Sequence, residues 1–403
     1  MTFSPDSKAA RVPQQIPPSG IRKYFDLLLT MNDVISLGVG EPDFPVPWHV
    51  TEQAIYSLTK GYTSYTSNSG LLELRQAVSL WLHSLYGLLY DPEGEILITI
   101  GVSEALDLAL RSLVNPGDEV VIPQPCYVSY VPCTTLAGGV PVSVATRPEH
   151  GFKLTPDALQ QAISPRSKIL LLNYPNNPTG ATMTQDELLP IADLVERHDL
   201  VVISDEIYDR LTYEGDHCSF ASLPGMKDRT ILLNGFSKSH AMTGMRIGYA
   251  ASNRTFIGLM TRIHQYTALC APTTSQMAAI EGLRSGAPAV RKMVVEYDQR
   301  RRFFVDGLNA IGLPCPLPAG AFYAFPSITP TGLTSEQFSE RLLLEQRVAT
   351  IPGSVFGQSG EGHIRCAYAT PVPNLRRALE RMEEFIARLE RRPARPSIAQ
   401  RVG

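Results

Sequence analysis

Short apolar runs set apart by helix-length segments constrain this chain more than any other feature. "EILITI", "DEVVIP", "KILLLNY", "LVVISD" and "TILLN" follow one another between residues 95 and 234. Each is rich in aliphatic and β-branched residues and shows little polar alternation, the pattern of strands buried on both faces. Between them the spacing predicts helices over Glu104 to Leu113 and Leu188 to Val195. Ahead of them, Leu71 to Gly87 sets Leu74, Ala77, Val78, Trp81 and Leu85 on one helical face. Strand and helix alternating in this way predict an α/β fold with a largely parallel sheet between helices.

After about residue 285 the pattern changes. A charged helix, "VRKMVVEYDQRRRFFVDGL", is followed by "GAFYAFPSI" and by a final helix bearing Leu375, Leu379, Met382, Ile386 and Leu389. The expected organisation is an N-terminal arm with part of a small domain over 1–46, a large domain over 47–284, a small α+β domain over 285–391 and a disordered tail over 392–403. Pro13, Pro17 and Pro18 predict an extended arm. With 403 residues, 19% charged and 44% hydrophobic, the chain is long enough for two or three domains. A formal net charge of −3 offers no broad basic field, which argues against nucleic acid or an anionic membrane as partner. The six cysteines lack the close pairing that zinc and redox motifs need, and they read as mostly buried, reduced thiols. No stretch approaches the roughly 18 apolar residues of a membrane span, and the N-terminus lacks a signal-like apolar core, so a cytoplasmic protein is expected.

Parallel sheets place ligands beyond the carboxyl ends of their strands. There the sequence is unusually polar: Asn177 follows "KILLLNY", Asp205 ends "LVVISD" with Tyr208 close behind, and Ser237 and Lys238 follow "TILLN". The run "ILITIG" passes through Val102 and Ser103 into a helix whose free N–H groups suit a phosphate. Taken singly, Lys238 reads as a solvated charge, Asp205 as a helix cap, Asn177 as a turn residue, and Arg246 and Arg365 as surface ion pairs. Taken together on one rim, they describe something else. A lysine amine forms an imine with an aldehyde, and a carboxylate facing a pyridine nitrogen keeps it protonated, which makes the ring an electron sink. That pair of needs points to pyridoxal phosphate.

The stretches "LGVGEPDFPVP", "YTSYTSNSGLLELR", "NYPNNPTG", "SDEIYDRLTY", "NGFSKSHAMTGMRIGY" and "PGSVFGQSGEGHIRCAYA" occur in that order. On them the chain resembles the class I, fold type I, pyridoxal-phosphate-dependent aminotransferases, typified by aspartate and aromatic aminotransferases. The resemblance implies a mostly parallel seven-stranded sheet between helices with a smaller α+β domain. It implies pyridoxal 5′-phosphate on Lys238, Asp205 at the pyridine nitrogen, Asn177 and Tyr208 as donors to the ring oxygen, and Tyr127 stacked on the ring. Val102, Ser103, Ser237 and Arg246 would bind the phosphate. Arg365 would clamp the substrate carboxylate with help from Asn177, and Gly40 would allow close approach to substrate. Tyr65 would reach the neighbouring active site of a homodimer.

The implied reaction carries an amino group from an L-amino acid, aspartate or aromatic or similar, to a 2-oxo acid, with 2-oxoglutarate the expected acceptor. A carbon–sulfur lyase or an aminocyclopropane carboxylate synthase would use nearly the same groups, and a non-catalytic cofactor-binding sensor is a remoter alternative. Two positions depart from the resemblance. Gly235 stands where several relatives have a second phosphate-binding serine, and Met245 where many have tryptophan. No second arginine for a side-chain carboxylate can be identified.

Overall fold

The computed structural model describes residues 5–21 and 31–390. The predicted tail and most of "IRKYFDLLL" lie outside the described residues. After a two-residue strand β1 (Ile35–Ser36), the described chain forms β2 (Ile96–Thr99), β3 (Glu119–Gln124), β4 (Val140–Ala145), β5 (Ser167–Asn173), β6 (Val201–Asp205), β7 (Thr230–Gly235) and β8 (Gly248–Ala251). Strands β2 to β8 make one seven-stranded sheet in the order β2-β8-β7-β6-β5-β3-β4. Only β8 runs against its neighbours, pairing antiparallel with β2 and β7.

Side chains alternate across this sheet, as the pleat requires. Leu97, Ile169, Leu171, Ile203, Ile231 and Leu233 enter one core with the helices Gly101–Leu113 and Arg254–Thr267. On the opposite face, Leu170, Leu172 and Val202 meet the helix Gln185–Arg197, while Ile96, Ile98 and Leu232 meet the helices Leu72–Tyr86 and Thr273–Ser285. Both faces are therefore covered, which is why these strands read as unbroken apolar runs.

Two strands of this sheet had no such run. β4 is an edge strand with only Val144 buried, and its sequence, Val-Pro-Val-Ser-Val-Ala, alternates instead of forming an unbroken aliphatic run. β8 reads Gly-Tyr-Ala-Ala, short of the branched residues that mark strands. The helix Leu72–Tyr86 also differs from expectation, since it buries Leu74, Val78 and Leu82, whereas Ala77, Trp81 and Leu85 are half-buried. Its core face is thus rotated toward Leu82. The helix predicted from Leu188 starts at Gln185, because Thr184 and Glu187 bond each other's backbone N–H in a capping box.

The arm is not wholly extended. Arg11–Gln15 is a short exposed helix that contains Pro13, whose missing N–H costs nothing in a first turn. Beyond residue 286 come the helices Ala287–Ala310, Ser335–Gln346 and Val372–Glu390, with strands β9 (Tyr323–Ala324), β10 (Val348–Ala349), β11 (Ile351–Pro352) and β12 (Ile364–Ala367). β1 pairs in parallel with β10, which ties the arm to this unit, and β11-β12-β9 form a small antiparallel sheet. Strands of two residues hold little by themselves. Buried Phe304, Phe322, Phe338 and Phe385, at about 1.5–3 kcal/mol each, hold them in place.

All six cysteines are free. Cys126, Cys315 and Cys366 are buried, but Cys133, Cys218 and Cys270 are only half-buried, so the expectation of buried thiols holds for half of them. Among the described residues no helix is long and apolar enough to cross a membrane.

Candidate active site

The carboxyl ends of β5, β6 and β7 and the start of β8 share one rim, because Asn173 pairs with Asp205, Asp205 with Leu233, and Gly235 with Gly248. At this rim lies a cavity of about 440 Å³. Val102, Ser103, Tyr127, Asn177, Asp205 and Tyr208 line it, as do Ser237, Lys238, Arg246, Arg365 and Gly40. Tyr65 does not, and it is 80% exposed.

Lys238 lies just beyond the end of β7 and reaches across the cavity, where its Nζ donates to the Gly40 carbonyl at 2.6 Å. Burial pushes its amine down to about 8, helped by the charges of Arg365 and Arg246 against those of Glu41 and Asp205. Roughly a tenth of the amine is therefore neutral at pH 7, far more than in an ordinary lysine.

Asp205 is the last residue of β6 and is 5% exposed. Burial pushes its carboxyl up to about 6, and hydrogen bonds from the Tyr130 hydroxyl (2.7 Å to Oδ2) and the Ile207 N–H (3.2 Å to Oδ1) oppose that rise. At pH 7 the group is mostly ionised. Asn173 braces the same corner, donating from Nδ2 to the Asp205 carbonyl at 2.9 Å and accepting from the Asn177 N–H at 3.0 Å.

Arg365, on β12, is 2% exposed. Its Nη1 donates to Asn177 Oδ1 (3.0 Å) and its Nη2 to the Gly38 carbonyl (2.6 Å). Its guanidinium lies against the rings of Tyr323 (4.5 Å) and Phe356 (5.0 Å). The Nε is buried without a partner among the described residues. An unsatisfied buried donor on a cation costs stability, and Arg365 also lines the cavity, where its positive charge suits an anion.

Arg246 takes the left-handed conformation, with φ of 50°, and donates from Nη1 to the Thr243 carbonyl at 3.0 Å. Gly101, also at positive φ, makes room for it, since a Cβ there would stand 2.7 Å from Arg246 Nη2. The arginine is thereby held beside the N-terminus of the helix carrying Val102 and Ser103. Gly235 has a steric reason of its own, because a Cβ would come 2.8 Å from the Gly248 Cα and 3.0 Å from the Ile247 carbonyl. Met245 packs at the margin of the core that holds Ile247 and Ala278.

Several lining residues had no sequence signal. Tyr130 sits in a helix, Tyr130–Leu136, with Tyr127 edge-on to its ring at 5.7 Å. Tyr323 places its hydroxyl 2.7 Å from that of Tyr208. Glu41 Oε2 accepts from the Thr243 hydroxyl at 2.8 Å and joins the arm to the segment before Arg246.

Residues 32–382 match the family described as aminotransferase class I and II. The chain belongs to that family. The aspartate aminotransferase of Pyrococcus abyssi is 46% identical over 92% of this chain and 96% of its own length. The aromatic-amino-acid aminotransferase 2 of Thermococcus litoralis is 44% identical over 93% of this chain and 97% of its own. In three dimensions the aromatic aminotransferase of Pyrococcus horikoshii OT3 superposes with a TM-score of 0.88 at 46% identity, covering 91% of this chain and 99% of that one. This aminotransferase is therefore an α/β enzyme of fold type I, and its reaction class is pyridoxal-phosphate-dependent transamination.

Proposed function

We propose that the cavity holds pyridoxal 5′-phosphate linked to Lys238, and that the enzyme moves the amino group of an L-amino acid to a 2-oxo acid, with 2-oxoglutarate as acceptor. Residues 47–284 act as the cofactor-binding domain, and the unit from 285, with part of the arm, acts as its cover. One observation carries the reading: a buried lysine with a depressed pKa, a buried and mostly ionised aspartate and a buried arginine, Arg365, line one cavity. The donor set fits the cofactor's aldehyde, its basic ring nitrogen, its ring oxygen and its phosphate.

Once bound, the cofactor supplies an electron sink for the bond broken at the substrate Cα. The protein's part is placement and proton traffic. Asp205 would set its negative charge at the ring nitrogen, and the Tyr130 hydroxyl opposes the rise in pKa that burial causes there. Asn177 Nδ2, which has no protein partner among the described residues, and the Tyr208 hydroxyl donate to the ring oxygen. Val102, Ser103, Ser237 and Arg246 take the phosphate, and Tyr127 covers the ring. Arg365, which lines the cavity, would take the substrate α-carboxylate. Lys238 would hold the cofactor's aldehyde carbon and, once the substrate amine has displaced its Nζ from that carbon, would take the proton from the substrate Cα and later return it.

Among the described residues, Lys238, Arg246 and Arg365 are the cations at the cavity, and Ile21 and Val39 supply apolar surface. The apolar surface suits an aromatic amino donor, and the side-chain carboxylate of aspartate would need a further cation, as from the partner subunit of a homodimer. Tyr65 supports a homodimer, since it is exposed and stands outside its own cavity. Its loop is anchored by Thr273 Oγ1 donating to the Ser64 carbonyl (2.9 Å) and Asn68 Nδ2 to the Leu269 carbonyl (2.7 Å).

The test loads purified protein with pyridoxal phosphate and offers phenylalanine, tyrosine, aspartate and alanine one at a time, following the visible absorption of the bound cofactor. Rapid bleaching by aromatic donors, restored by 2-oxoglutarate, is expected. Protein that takes up no cofactor, or gains no mass on Lys238 after borohydride, would falsify the reading.

A further inference from the structure

Tyr323 touches three of the groups assigned above, although it belongs to the small sheet and not to the rim. Its hydroxyl lies 2.7 Å from that of Tyr208, and its ring stacks under the Arg365 guanidinium at 4.5 Å. The third contact is with Gly40, where a Cβ would come 2.6 Å from the Tyr323 hydroxyl, so the absence of a side chain at residue 40 is what lets this phenol in. The ring is 1% exposed and fixed edge-on by Phe322 at 4.8 Å.

Two phenols this close share one hydrogen between their oxygens. Burial raises both pKa values, so each keeps its proton at neutral pH. If Tyr208 donates to Tyr323, its only proton is spent there. If Tyr323 donates, the Tyr208 proton is free to turn into the cavity. No other partner competes for either hydroxyl among the described residues.

We propose that Tyr323 is a positioning residue with two separable parts: its hydroxyl donates to Tyr208 and turns the Tyr208 proton toward the cofactor's ring oxygen, and its ring levels Arg365 for the substrate carboxylate. The inference rests on the functional reading above. It makes one side chain of the cover unit answerable both to the cofactor and to the substrate.

The parts come apart in two variants of the cofactor-loaded enzyme. Tyr323→Phe keeps the ring and loses the hydroxyl, whereas Tyr323→Leu loses both. Two readouts separate them: the pH midpoint of the cofactor's visible absorption, and the Kd of 3-phenylpropionate, a carboxylate without an amine. Tyr323→Phe is expected to raise the midpoint by about half a pH unit or more and to lower kcat about three- to tenfold, as loss of one hydrogen bond predicts, with the Kd within about twofold of wild type. Tyr323→Leu should raise the midpoint as much and also weaken 3-phenylpropionate about fivefold or more, the scale of a desolvated cation–π contact.

A Tyr323→Phe enzyme with an unmoved midpoint overturns the hydroxyl's role. So does one that loses carboxylate affinity as Tyr323→Leu does. A Tyr323→Leu enzyme with unchanged Kd overturns the ring's role, and should that variant not fold, the Phe variant decides alone. Wild-type protein that takes up no pyridoxal phosphate fails earlier, at the functional reading itself.

Discussion

On the wall of the cavity built by the seven-stranded sheet, Asp205 has both carboxylate oxygens engaged, by Tyr130 and by the Ile207 N–H, and Asn173 locks the strand ends beside it. On the facing wall, built by β9 and β12, Arg365 is as deeply buried yet keeps its Nε unsatisfied. On the first wall the carboxylate is fixed before any guest arrives, which suits a group that stays. The second offers a cation set on the smaller unit and suits a group that comes and goes. Lys238 spans the two, rooted beyond β7 on one side and bonded to the Gly40 carbonyl on the other.

The largest test of this contrast removes the bridge. Lys238→Ala should lower turnover by about three orders of magnitude or more, the scale of a lost general base, with the melting temperature little changed; turnover within tenfold of wild type would show that neither wall needs the lysine. Next, Arg365→Ala should raise the KM for the amino acid about a hundredfold, the cost of losing a buried charged partner, while cofactor affinity measured by dialysis stays near wild type. Equal loss of both would erase the distinction between resident and transient guests.

A smaller effect is expected on the finished wall. Tyr130→Phe removes the hydrogen bond that opposes burial at Asp205, so the carboxyl should titrate above its present value of about 6. The acidic limb of the kcat/KM profile should then move up by about one pH unit, and an unmoved limb would mean that Tyr130 only packs. Smallest is the pH dependence of cofactor capture by the apoprotein. A neutral amine is the reactive form, so the rate should rise about tenfold from pH 7 to 9 and level off above about 8. A rate still climbing steeply past pH 9 would assign Lys238 an ordinary lysine pKa.

The same two walls differ in how far they can be read from the chain. Strand ends are local features, so Asp205, Asn177 and Lys238 could be found by looking at and just past the end of each apolar run. Sheet strands without such a run were not visible, since β4 lies at an edge and β8 is built from small residues. Tyr130 and Tyr323 were missed for a different reason. Each acts through one hydroxyl on a residue far away in sequence, Asp205 and Tyr208 respectively, and nothing near "CYVSYVP" or "GAFYAF" announces that meeting. Arg365 was reached only through resemblance, because its partners Asn177 and Gly38 are 188 and 327 residues away in the chain. Gly40 was expected to ease the approach of substrate, and its geometry shows a nearer reason in the Tyr323 hydroxyl.

Because β8 runs against its neighbours, it begins where they stop. The chain leaves β7 at Gly235 and rejoins the sheet at Gly248, two positions that face each other across adjacent strands roughly 4.7–4.9 Å apart. The span that carries Lys238 and Arg246 is thus a bight moored at both ends to one quay. Its two cations are kept within electrostatic reach of each other by the moorings.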